Sequence, residues 1–82
     1  MKVKVYSTPT CPYCKMAKSF LDDKGVPYDD LDVSVDASAR DEMIKKSGQM
    51  GVPVIDIDGD VIVGFDQQRI AGLVEKGREE TV

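Results

Sequence analysis

Residues 2–7 read Lys-Val-Lys-Val-Tyr-Ser, an apolar–polar alternation with the period of a β-strand, and Pro12 then opens a stretch with helical spacing. Ala17, Phe20 and Leu21 give that stretch an apolar stripe, and Gly25 stands where a left-handed cap would close it, so a helix is expected over 12–24. From Pro27 to Val35 the chain alternates again, with Leu31, Val33 and Val35 separated by polar residues, and a second strand is expected there. Strand, helix and strand in that order form a crossover unit. Such units are right-handed in nearly all cases, which lays two parallel strands side by side with the helix on one face.

The remainder of the chain adds to this unit. Asp36 is placed to cap a helix running to about Ser47 and ended by Gly48, with Ala39, Met43 and Ile44 inward and Arg40, Asp41, Lys45 and Lys46 largely outward. Val52–Ile57 and Val61–Val63 are β-branched runs joined through Asp58-Gly59, the strongest short hairpin signal in the chain. Asp66 caps a last helix carrying Ile70, Leu73 and Val74, expected to end before Gly77 and a charged tail. The expected class is α/β: a four-stranded mixed sheet in the order βαβ-α-ββ-α, flanked by three helices. At 82 residues the chain suits one domain spanning 1–82.

A domain of this size is often stapled by disulfides, yet the two cysteines, Cys11 and Cys14, are separated by two residues. A bridge between them would close almost no loop and remove little unfolded-chain entropy, so the pair belongs to chemistry and the fold rests on its apolar core. The net charge of −4 argues against nucleic-acid binding. With no histidine in the chain, Cys–His nucleophilic pairs and imidazole zinc sites are excluded, and no metal ligand set is assigned. The N-terminus lacks a signal-peptide core and no run could span a membrane, so the expected location is cytoplasmic, where a cysteine pair is more often catalytic than structural.

With Cys11 as helix N-cap and Pro12 as first helical residue, the Cys11 sulfur faces the free N–H groups of Tyr13 and Cys14. A helix N-terminus with unpaired donors stabilises anions, which favours the thiolate of Cys11. Lys15 and Lys18 add a screened positive field, and no carboxylate precedes Asp22. Cys14, inside the first turn, can swing its sulfur back toward Cys11 and act as the resolving thiol. A C-x-x-C pair beside a βαβ pattern is the thioredoxin-like signature, whereas a metal half-site would need a second ligand pair that this chain lacks.

Three motifs in register, Tyr6-Ser7-Thr8-Pro9-Thr10-Cys11-Pro12-Tyr13-Cys14, Gly51-Val52-Pro53 and Gly64-Phe65-Asp66, resemble the glutaredoxin family over nearly the whole chain. The resemblance implies the thioredoxin fold, Cys11 as nucleophile, Cys14 as resolving cysteine and a cis peptide before Pro53. On residues alone that bond reads as trans, because only about 5–6% of X-Pro bonds are cis. It further implies a substrate and glutathione groove formed by Tyr13, Val52, Pro53, Gly64, Phe65, Asp66 and Gln67. Taken alone, Gly64 and Asp66 equally describe a strand-to-helix turn with an Asp cap.

No tightly bound cofactor is implied, and the expected partners of a monomer are glutathione as reductant and proteins carrying disulfides. Thr8, Gly51 and Gln67 depart from a common lysine, threonine and aspartate of the family, each removing a polar contact or charge for a tripeptide. These departures leave open a flavoprotein of the thioredoxin-reductase type as electron source, with an enzyme such as ribonucleotide reductase as acceptor. A different class of role, a [2Fe-2S] carrier held by Cys11 of two copies and two glutathiones, is disfavoured by the stiff turn at Pro12.

Overall fold

The computed structural model describes residues 2–80, with side chains through Lys76. The elements follow in the order β1 (Val3–Ser7), α1 (Pro12–Asp23), β2 (Asp29–Asp32), α2 (Ala37–Ser47), β3 (Val54–Ile57), β4 (Asp60–Val63) and α3 (Gln67–Glu80). The strands form one sheet in the order β2-β1-β3-β4. β1 runs parallel to β2 with Tyr6 opposite Leu31, while β3 is antiparallel to both β1 and β4. The expected mixed sheet and its three helices are what the chain forms.

Strand alternation divides the core between the two faces of the sheet. Val3 and Val5 of β1, Ile55 and Ile57 of β3 and Ile62 of β4 turn to one side, where they pack with Ala17 and Leu21 of α1 and Ile70 and Val74 of α3. Tyr6 and Val54 turn to the other, against Ala39 and Met43 of α2. Fully burying Leu21, Ile55 and Ile70 contributes about 1.5–3 kcal/mol each.

Local chemistry sets most boundaries. After α1 the Gly25 amide donates to Asp22 O and the Val26 amide to Leu21 O, with Gly25 at φ 69°, a left-handed cap that also seats Val26 beside Leu21 in the core. Asp36 Oδ1 accepts from the Ala39 amide at 3.1 Å, and Gly48 closes α2 at φ 73°. Asp58 and Gly59, at φ 51° and 95°, make the two-residue hairpin turn.

Three expectations are corrected. The second strand does not reach Val35 but stops at Asp32. The Asp32 carboxylate accepts from the Ser34 amide at 2.9 Å and its carbonyl from the Asp36 amide at 3.0 Å, turning the chain and leaving Val35 83% exposed. Gly77 does not end the last helix, whose backbone continues to Glu80, because glycine inside a helix costs only about 1 kcal/mol. Residues 81 and 82 of the expected tail lie outside the described residues.

Lys46 is the third correction. Its ammonium does not point outward but folds over the sheet, donating to Asp56 Oδ2, to Tyr6 Oη at 3.1 Å and to Glu42 Oε1 at 2.8 Å. Asp56 points to the α2 face of β3, and its side chain is only 11% exposed, so it needs this partner. Burial works against the Lys46 ammonium, but its hydrogen bonds to Asp56, Glu42 and Tyr6 more than offset it and hold the amine above its ordinary pKa.

Candidate active site

The carboxyl end of β1 runs through Thr8 into the turn that starts α1, and this turn carries both cysteines. Cys11 is the N-cap, with extended backbone at φ −91° and ψ 113°, and Pro12 takes the first helical position. The Cys14 amide donates to Cys11 Sγ at 3.2 Å. An N-cap side chain normally supplies oxygen to such a donor; here sulfur does, so one free N–H of the helix end is spent directly on the half-buried Cys11.

Cys14 occupies a different environment one turn into the helix. It is 0% exposed, and burial, followed by the hydrogen bond it shares with Cys11, pushes its thiol up to about 11, against smaller opposing effects from the Thr8 backbone and Lys18. Cys14 is thus held protonated at neutral pH.

The loop before β3 faces this pair. Val52 and Pro53 are joined by a cis peptide bond, and the Val52 carbonyl lies 3.9 Å from Cys11 Sγ, within reach of a weak S–H donor. Pro53 is buried, and its carbonyl accepts from the Gly64 amide at 2.8 Å, which fastens the β4–α3 turn to the same loop. Gly64 sits at φ 82°, in the left-handed region. Of the residues singled out from the sequence, Cys11, Cys14, Val52, Pro53 and Gly64 therefore form one connected site.

The others take different positions. Tyr13 is 61% exposed on the first turn of α1, open to a partner. Phe65 turns inward, packing on the core and meeting the Phe20 ring edge-on at 6.1 Å. Asp66 caps α3, its Oδ1 accepting from the Arg69 amide at 3.2 Å, so one donor that a ligand carboxylate could use is occupied by a carboxylate of the protein. Gln67 is exposed and lines a shallow recess with Met16, Phe20 and Phe65.

Gln49 escaped the sequence reading. Its Oε1 accepts from the Gly51 amide at 2.7 Å and its Nε2 donates to the Gly51 carbonyl at 2.9 Å, closing a ring on the residue just before Val52. A Cβ at Gly51 would stand 2.6 Å from that Oε1, the far end of a flexible side chain, so a larger residue here would displace the Gln49 amide. Among the described residues, no group of three or more Cys, Asp or Glu could hold a metal ion.

Fold and site together define a thioredoxin-fold dithiol oxidoreductase, with a C-x-x-C pair at a helix N-terminus facing a cis-proline loop. The glutaredoxin family model matches residues 3–62, and the chain belongs to that family. A glutaredoxin-like 8.6 kDa protein of the rubredoxin operon of Clostridium pasteurianum is 50% identical over 74 residues, covering 90% of this chain and 99% of that one. Glutaredoxin 3 of Escherichia coli is 47% identical over 64 residues, covering 78% of this chain and 77% of its own. Among solved structures, the thioredoxin-like protein BC3987 superposes with a TM-score of 0.84 at 36% identity, covering 88% of this chain and 99% of that chain.

Proposed function

We propose that the protein, acting as a monomeric cytoplasmic domain, reduces protein disulfides and glutathione mixed disulfides, with Cys11 as the attacking and Cys14 as the resolving sulfur. The observation that carries this reading is the unequal setting of the two thiols: Cys11 is half-buried and accepts a helix-end N–H, whereas Cys14 is sealed, and that burial pushes its thiol up. Cys11 attacks first because it is the sulfur a substrate can reach. The extended peptide around the substrate sulfur pairs with the Val52 backbone beside it, and Cys14 or glutathione then releases the product. No described helix is long and apolar enough to cross a membrane, which suits the proposed location.

Glutathione as electron donor is supported by family membership. A second reading, reduction by a flavoprotein of the thioredoxin-reductase type, is favoured by one feature of the groove: Thr8, Gln49, Gly51 and Gln67 are all uncharged, and Gln49 already occupies the Gly51 backbone groups. Turnover with glutathione and its reductase, compared with turnover by the flavoprotein alone, decides between them. Activity with the flavoprotein only would overturn the glutathione reading.

A further inference from the structure

One turn beyond Cys14 on α1, Lys18 enters a polar triangle that the cycle above does not use. Ser7 continues the row of Val3 and Val5 that faces α1, and it is 2% exposed. Its hydroxyl donates to Asp30 Oδ1 of β2 at 2.9 Å, while Lys18 Nζ donates to Asp30 Oδ2 at 3.1 Å and to Ser7 Oγ at 3.4 Å. The Lys18 side chain, only 22% exposed, is thereby pinned over the carboxyl end of β1. Lys18 follows Cys14 by four positions on α1, so the two share a helix face.

We propose that Lys18 is a positioning residue for the resolving step, its ammonium anchored by Asp30 and Ser7 so as to stabilise negative charge on the Cys14 sulfur while it attacks. This rests on the reading of Cys14 as the resolving thiol. In that step the Cys14 thiol gives its proton to solvent, and its sulfur bonds to Cys11. The bond between Cys11 and the substrate sulfur breaks, and the substrate leaves with the electron pair and takes up a proton. Two protein thiols are oxidised by two electrons in all, and one substrate disulfide is reduced.

A sulfur as buried as Cys14 loses hydration when it ionises, and only nearby donors and cations can replace it. The groups acting on it come from three directions. Cys11 and Lys18 belong to its own helix, the Thr8 backbone reaches it from the end of β1, and Asp30 of β2 stands behind Lys18 with opposite charge. Lys18 is the cation of this set. If the triangle served only to clamp α1 to β1 and β2, its hydrogen bonds would matter and its charge would not.

The test is stopped-flow reaction of the reduced protein with an aryl disulfide that liberates a coloured thiolate. Attack by Cys11 releases one equivalent, and resolution by Cys14 releases a second. Lys18→Gln, which retains hydrogen-bonding capacity without charge, is expected to slow the second phase about tenfold near neutral pH and to move its pH profile upward, with a smaller effect on the first phase. Lys18→Arg is expected to restore the second phase. An unchanged second phase in Lys18→Gln, or equal slowing of both phases in a variant with wild-type circular dichroism, overturns the role of Lys18. Release of a single equivalent by the wild-type protein would instead overturn the reading of Cys14.

Discussion

The amide of Cys14 reaches the Cys11 sulfur over 3.2 Å, yet the sulfur of Cys14 itself has no exposed surface. One residue thus serves the pair twice, its backbone donating to the neighbour's sulfur and its side chain waiting behind it. Cys11→Ser is expected to bring all thiol–disulfide exchange down to background. Cys14→Ser should keep turnover of glutathione mixed disulfides, which a second glutathione can resolve, and lose dithiol reduction of protein disulfides. Assaying both substrate types on both variants checks this; loss of both activities in Cys14→Ser would reverse the assignment.

The buried thiol also predicts a pH signature in stability. Its folded pKa lies above the ordinary 9.0, at about 11, so the stabilisation is complete below about pH 9 and is lost as the pH rises toward about 11. Denaturant melts between pH 7 and 11 should show the reduced protein losing stability relative to Cys14→Ser across that window. A constant difference would show that Cys14 is not kept neutral by burial.

Features written in a few adjacent residues were legible in the sequence. The Asp36 and Asp66 caps, the Gly25 and Gly48 stops and the Asp58-Gly59 turn are local chemistry, and the structure places each as read. Val33 and Val35 misled because alternation competes with the Asp32 side chain, which takes the Ser34 amide and turns the backbone. Lys18, Lys46 and Gln49 were unreadable for another reason. For Lys18 and Lys46 the partners, Asp30 and Asp56, are chosen by where the chain returns; for Gln49 the partner, Gly51, is only two residues on, but a long flexible side chain does not announce which direction it will take.

The cluster over β1 and β3 makes a prediction at the acid end. Hydrogen bonds from Lys46, then from Lys4, hold the Glu42 carboxyl down at about 2, so its contribution is present above its ordinary 4.5 and is lost as the pH falls toward about 2. Glu42 is 39% exposed, which limits Glu42→Gln to a loss of no more than about 1 kcal/mol at neutral pH, vanishing near pH 2. Lys46→Met removes the cation from the Asp56 carboxylate, leaving it the Gly59 amide at 2.8 Å, and should cost about 2 kcal/mol. Equal losses in the two variants would mean that burial of Asp56 carries no special cost.

The groove makes a last prediction through Gln49 and Gly51. The family commonly has threonine where this chain has Gly51, and a Cβ there would stand 2.6 Å from Gln49 Oε1. Gly51→Thr must therefore displace the Gln49 side chain, a flexible one, and free the backbone N–H and C=O that the ring occupies. Those groups adjoin Val52, whose carbonyl lies beside Cys11. One added hydrogen bond to a tripeptide is worth about 1 kcal/mol, so KM for the glutathione mixed disulfide should fall about fivefold with kcat little changed. Gln49→Ala should give part of the same gain without the new side chain. An unaltered KM in both would show that these two residues do not set the preference for glutathione, and the choice of electron donor would then rest on Thr8 and Gln67, the remaining neutral departures from the family pattern.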